Sequence, residues 1–288
     1  MNIAGRVLPP IESFNTIILA GGGNRCWWQA GVLAEWTVAA RIRAQRFAGT
    51  SAGAGVLVAT LAGQIDIAID ACQRLYNANP SIFANRQQPR SWFAHESIYP
   101  RWIESFMTTD ALTTVKSLGV EVQIGIARLV RGMPTSLGVG LGVLAYLVDK
   151  YGFGDIHPRL PTWLGYRMEL RRFDTLQTQP HATHLLVAAA AAPPFIRARE
   201  IDQRQAFDGG LVDNAPRLAP IDPCEQQLVL LTRHYPKRPR AFIHAGRWYL
   251  QPSRPVPVST WDCTPRADIS GAVALGRRDS AVDERSRA

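Results

Sequence analysis

Three short stretches hold the residue types that acyl transfer requires: Gly21-Gly22-Gly23-Asn24-Arg25, Gly49-Thr50-Ser51-Ala52-Gly53 and Asp208-Gly209-Gly210. Glycines stand two residues to either side of Ser51, a spacing that lets the backbone turn sharply between a strand and a helix and push the hydroxyl outward. An alcohol hydroxyl stays protonated at neutral pH and becomes a useful nucleophile only beside a base. Asp208 is a candidate base, and only the fold can bring it to Ser51 across more than half of the chain. A free aspartate, with a pKa of about 3.9, is a weak base, so its site must be apolar enough to raise its proton affinity. Asp-Gly is also a common turn dipeptide, and Asp202 and Asp213 are rival carboxylates.

The glycine loop offers the third component. Backbone N–H groups at the start of a helix carry the positive end of its dipole and can hold a developing oxyanion. Gly22, Gly23 and Asn24 are the donor candidates within the loop Gly21 to Arg25, and Arg25 is expected to fix the loop rather than touch substrate. A dinucleotide-binding loop is disfavoured, because Cys26 stands where that motif needs its third glycine. Histidine-dependent triads place a histidine after the acid, and His234 and His244 follow Asp208 in a basic stretch, Arg233 to Arg247, where a solvated histidine is the ordinary reading. No histidine or cysteine spacing indicates a metal site.

These residues need a sheet to position them. Thr16 to Ala20 reads as a buried strand entering the glycine loop, Trp27 to Arg43 as a helix, Phe47-Ala48 as a second strand entering the elbow, and Ala52 to Gly63 as a buried helix. That alternation predicts an α/β fold, a three-layer sandwich with a mostly parallel central sheet flanked by helices. Further along, Gln64 to Tyr76 reads as helix, with Ile65, Ile69, Cys72 and Tyr76 on one face. Asn77 to Pro100 reads as an irregular excursion with Trp92, Phe93 and Tyr99 exposed or loosely packed. Gly119 to Val130 is strand-like, Leu137 to Lys150 helix-like and Thr183 to Ala190 an apolar strand. Gln227 to Thr232 reads as the last core strand and Ile269 to Arg277 as a short helix.

With 288 residues, 47% hydrophobic and 19% charged, the chain can bury a large core, and one catalytic domain over 1–278 is expected, followed by a charged, frayed tail over 279–288. The net charge of +9 points to an acidic partner. Four scattered cysteines, the absence of a recognisable leader at Met1 to Ser13 and the lack of a long apolar run lead to a cytoplasmic expectation, with lipid met only from the surface.

Taken together and in this order, the three motifs resemble the patatin-like phospholipase family, whose G-G-G-x-R-G loop, G-x-S-x-G elbow and D-G-[GA] element they match. Ala191-Ala192-Pro193-Pro194, Asn214-Ala215-Pro216, Trp261-Asp262 and Leu275-Gly276-Arg277 add to the resemblance, which spans residues 16 to 278. It implies a Ser-Asp dyad of Ser51 and Asp208 that cleaves phospholipid or lysophospholipid esters through an acyl-enzyme. The loop Gly21 to Arg25 would supply the oxyanion hole, Gly49 and Gly53 the elbow, and Gly209 and Gly210 the base loop; no cofactor is needed. Peripheral contact with an anionic membrane surface fits the charge, and no nucleic acid is expected. Cys26 departs from the family's glycine, and if that position needed a positive φ the cysteine would be strained. The alternatives are an impaired lipid- or partner-binding relative and an esterase using His234 or His244.

Overall fold

The computed structural model describes residues 8–38, 42–84, 92–129, 156–157 and 160–283, with isolated helical positions at 140–141, 144 and 148. Most of the helix expected over 137–150 lies outside these residues, as do positions 284–288 of the frayed tail expected over 279–288, whereas Asp279 ends a helix and Ser280–Asp283 form a short 3-10 turn, with Asp279 and Ser280 buried. The described strands form a nine-stranded mixed sheet flanked by helices. Strands β1 (Thr16–Leu19), β2 (Arg46–Thr50) and β3 (Glu121–Arg128) run parallel in the order β1, β2, β3. On the other side of β1 lie β7 (Gln227–Leu230) and β9 (Arg247–Leu250), both parallel to it, and β8 (Ala241–His244) closes that edge antiparallel. Strand β4 (Arg167–Arg172) pairs antiparallel with β3 on the edge away from β2, and β6 (Arg204–Asp208) joins the other edge of β3 and forms a hairpin with β5 (Arg199–Ile201).

Alternate residues of the central strands serve two faces, as the period of a strand requires. Ile17, Leu19, Phe47, Leu228 and Leu230 join the main core beneath the helices, whereas Ile18, Ala48, Val229 and Tyr249 face a second core closed by Ile156, Ala215 and Leu218. The helical layer comprises α1 (Cys26–Val38), α2 (Ala52–Leu61), α3 (Ile65–Asn77), α4 (His95–Phe106) and α5 (Thr109–Ser117). The short α6 (Leu160–Trp163) precedes β4, and α7 (Gln179–Ala189) and α8 (Ile269–Asp279) follow among the described residues. Helix α2 is buried along nearly its whole length, which is why its sequence is small and apolar all round.

Three expectations change. The run Thr183 to Ala190 is helix α7, not a strand: an apolar run without a visible period can be buried either way, and its alanines favour the helix. Gln227 to Thr232 is not the last core strand, because the basic stretch after it contains β8 and the start of β9, and Arg247 is itself buried. The excursion from Asn77 turns helical at His95. Trp92 stays exposed and Phe93 half-buried, but Tyr99 sits in α4 against Trp102.

Register decides where the two chemical ends meet. Along one edge of β3, Glu121 to Gly125 pair with β2 up to Thr50. The next two positions, Ile126 and Ala127, pair with Asp208 and Phe207 of β6, which arrives antiparallel. The last residue of β2 and the last residue of β6 therefore occupy neighbouring places on the same strand. Arg128 ties the incoming hairpin down, donating to the carbonyls of Ile201, Arg204 and Gln205 while pairing with Glu169 at 2.7 Å.

Candidate active site

At the end of β2 the chain turns into α2 through Ser51, whose φ of 56° and ψ of −138° put a non-glycine residue in the left-handed half of backbone space. Such a conformation is costly and persists only where the surroundings enforce it. The enforcement is steric: a Cβ on Gly53 would sit 2.7 Å from the Ala20 carbonyl oxygen at the end of β1, so this turn of α2 can lie against the sheet only as glycine. Gly49 occupies the corresponding place before Ser51, in β2.

The turn aims the Ser51 hydroxyl at Asp208. Ser51 Oγ donates to Asp208 Oδ2 at 2.6 Å, while Gly210 N–H donates to the other carboxylate oxygen at 2.7 Å. The N–H of Asp208 itself is held by the Ala191 carbonyl at 2.8 Å, and Gly209 begins the short turn that follows. Both side chains are buried, Ser51 at 7% and Asp208 at 6% exposure. Burial raises the Asp208 pKa from 3.8 to about 6, against the opposing pull of the two hydrogen bonds. A carboxylate so placed can accept a proton from the hydroxyl it touches and still be ionised near neutral pH.

The rival carboxylates are engaged elsewhere. Asp213 Oδ2 meets His157 Nδ1 at 2.6 Å and its Oδ1 accepts the Ala215 N–H, while Asp202 is exposed and pairs with Arg171 at 2.6 Å. His234 faces the Pro252 carbonyl at 2.9 Å, and His244 lies on edge strand β8 stacked on His157. Neither lines the cavity at Ser51; the histidine that does is His95, which burial keeps neutral with its pKa lowered to about 4.

The glycine loop runs beside the elbow, so close that a Cβ on Gly21 would stand 3.0 Å from Ser51 Cβ. Its N–H groups divide into two sets. Gly21 donates to the Asn214 carbonyl at 2.8 Å, Asn24 to that of Thr260 at 3.2 Å and Arg25 to that of Gly22 at 3.3 Å. The N–H groups of Gly22 and Gly23 have no partner among the described residues, nor has that of Ala52, which opens helix α2 beside Ser51. Gly23 has φ +55°, the one left-handed position in the loop. Cys26 has φ −64° and ψ −16°, ordinary helical values, so its side chain imposes no backbone strain; its thiol is buried and desolvation holds its pKa well above the usual thiol range.

Asn24 acts as an anchor. Its amide donates to the carbonyls of Ser259 and Asp262 at 2.9 and 2.5 Å, and its Oδ1 accepts from the Tyr76 hydroxyl at 2.7 Å. Arg25 Nε reaches the Gly22 carbonyl at 3.4 Å. Three further residues hold the loop; in the sequence Asn214 stands out only as part of the resemblance, and Thr232 and Gln29 are not singled out for the site. Asn214 receives Gly21 as above, Thr232 donates to the Gly21 carbonyl at 2.8 Å, and Gln29 bridges the carbonyls of Ala20 and Leu230 at 2.9 and 2.8 Å. Their polar partners are brought in by β7 and by the turn after Asp208, which sequence spacing does not reveal.

Ser51 opens into a narrow, mainly apolar cavity of about 50 Å³ whose walls include Trp27, Val56, Ile98, Trp102, Ile196 and Trp261. Tyr99 also lines it; its hydroxyl is fully shielded, has no hydrogen-bond partner among the described residues, and has its pKa raised by burial and by the Asp208 charge.

A serine on a strand-to-helix elbow at the end of a central strand, hydrogen-bonded to a buried carboxylate, sits on a mixed sheet flanked by helices, and the protein is of the α/β class. The sequence model of the patatin-like phospholipases matches residues 17–221, a span that includes the glycine loop, the elbow and Asp208, and the chain belongs to that family. The family is one of lipid acyl hydrolases, which makes a lipid the implied substrate. Among solved structures the chain is similar to VipD from Legionella pneumophila, at 11% identity and a TM-score of 0.50, over 95% of this chain and 67% of that one, a likeness of fold. No curated protein matches the chain. Among the described residues no helix is long and apolar enough to cross a membrane.

Proposed function

We propose that the protein hydrolyses carboxylic esters of phospholipids or lysophospholipids through a Ser51–Asp208 dyad. Asp208 accepts the Ser51 proton as Oγ attacks the ester carbonyl, and the oxygen that becomes negative is received by the N–H groups of Gly22 and Gly23, with Ala52 completing the set. Asp208 then passes its proton to the departing alcohol. In a second round water takes the place of the hydroxyl: Asp208 takes its proton as it attacks the acyl carbon, then returns that proton to Ser51 Oγ as the acyl–Oγ bond breaks, leaving a fatty acid and free Ser51. The cavity beside Ser51 suits an acyl chain because its walls are apolar, and the chain's net charge of +9 suits substrates presented at an anionic lipid surface.

The observation that carries this reading is the 2.6 Å contact from Ser51 Oγ to Asp208 Oδ2, with no histidine between them. Fatty-acid release from phosphatidylcholine and lysophosphatidylcholine tests it. The wild-type protein releases acid from at least one of them, and Ser51→Ala lowers the rate by about 10³-fold or more while remaining folded. Turnover retained by Ser51→Ala would remove the dyad from consideration.

A further inference from the structure

Two of the most exposed large apolar side chains belong to one short antiparallel pairing next to the cavity. Phe83 is 61% and Trp92 84% exposed, and the backbone joins their strands through the Phe83–Phe93 bridge. Ala84 N–H donates to the Trp92 carbonyl at 3.0 Å and Ala94 N–H to that of Ile82 at 2.9 Å, so the two rings are carried on a braced antiparallel pairing. From Phe83 a row of rings runs inward. Phe83 stacks on Phe93 with centroids 5.6 Å apart, Phe93 meets Phe195 at 4.5 Å, and Phe195 lies parallel to Trp261 at 4.2 Å. Trp261 is a wall of the cavity that holds Ser51.

Both signs of charge lie beside this row, with Asp262 adjoining Trp261 and an arginine pair at Glu96. Glu96 is held by Arg197 at 3.1 Å and Arg199 at 2.8 Å, so two guanidinium groups face one carboxylate, and the Arg197 side chain is 58% exposed. Aromatic rings in water next to an exposed cation match the layered chemistry of a lipid surface, where rings settle at the headgroup boundary and cations meet phosphate.

We propose that Phe83 and Trp92 are rings by which the protein enters a phospholipid surface, and that the ring row starting at Phe83 leads an acyl chain to Ser51. The occupant is a lipid bilayer or micelle carrying anionic headgroups. This rests on the lipid-ester reading of the site, but it is separable from it, because docking and ester cleavage can be measured apart. Exposure alone does not single out these two: Trp163 is 78% exposed on α6, yet it lies outside the Phe83–Trp92 pairing at which the ring row starts.

The experiment compares the wild-type protein, the double variant Phe83→Ala/Trp92→Ala and the control Trp163→Ala. Three readouts are taken: flotation with vesicles of phosphatidylcholine and phosphatidylglycerol, hydrolysis of the vesicle lipid, and hydrolysis of dissolved p-nitrophenyl butyrate. The double variant is expected to lose vesicle binding and vesicle-lipid turnover by about tenfold or more, given the apolar area the two rings would bury. Its rate on the dissolved ester stays at the wild-type level, and Trp163→Ala retains all three. Vesicle binding that survives in the double variant, or falls equally in Trp163→Ala, would overturn the proposal; so would an equal loss on the dissolved ester, which would make the rings part of the cavity's shape. Should the wild-type protein cleave neither ester yet float through Phe83 and Trp92, docking stands and the hydrolase reading falls.

Discussion

Replacing Asp208 with asparagine should make the protein more stable at neutral pH while disabling it. Asp208 is 6% exposed, and burial moves its pKa from 3.8 to about 6. The folded state therefore keeps the proton up to about pH 6, whereas the unfolded chain releases it near 3.8. For an acid raised in this way the linked stability is fully present below the unfolded pKa and is lost as pH rises through the folded one. A shift of about two pH units corresponds to about 3 kcal/mol by which the ionised carboxylate penalises the fold. Asparagine keeps the shape and carries no charge. Its Oδ1 can still accept the Gly210 N–H, and its amide can donate to Ser51 Oγ, which now lies opposite Nδ2. Denaturant unfolding of both proteins from about pH 4 to about pH 8 should show near-equal stability at the acid end and an advantage for Asp208→Asn that grows to about 3 kcal/mol. Ester turnover by the variant should be lost across the whole range. A stability difference that does not change with pH would refute the claim that desolvation sets the proton affinity of Asp208.

The same shift governs catalysis: if Asp208 must be ionised to accept the Ser51 proton, kcat/KM falls about tenfold per pH unit below about pH 6, and a profile flat to about pH 4.5 would contradict it. Asn24→Ala strips the amide from the Ser259 and Asp262 carbonyls and removes the oxygen that accepts the Tyr76 hydroxyl, so it should cost about 2–4 kcal/mol in thermal or chemical unfolding. Turnover should fall with it as the glycine loop loosens, and a change below about 0.5 kcal/mol would deny the anchor its importance.

Much of the site was legible because its parts are local. The glycines flanking Ser51 answer to sterics within a few residues, and the contact of the Gly53 position with Ala20 is the physical reason for the spacing. The strand, loop and helix order from Thr16 to Leu61 was legible for the same reason, each segment having its own period and its own glycine punctuation. Where the reading failed, long-range packing had decided the outcome. Thr183 to Ala190 became helix because it is buried against α4 and the sheet, a fact its uniform apolar run does not encode. Strands β8 and β9 were hidden by arginines and prolines, and Arg247 is accommodated only because the Pro216 carbonyl and His157 receive it. Asp213 could not be told from Asp208 by composition; the difference is that His157, distant in sequence, occupies one of them. The shielded hydroxyl of Tyr99 and the commitment of the Asn24 N–H to Thr260 are likewise properties of packed neighbours.

Covalent capture of Ser51 tests the central claim most directly. The wild-type protein is incubated with a fluorophosphonate, and the intact mass and the modified peptide are read by mass spectrometry. A nucleophilic Ser51 activated by Asp208 should give a single adduct on the peptide containing Ser51, absent from Ser51→Ala and strongly slowed in Asp208→Asn. A folded wild-type protein that takes no label, or takes it at another residue, would contradict the account.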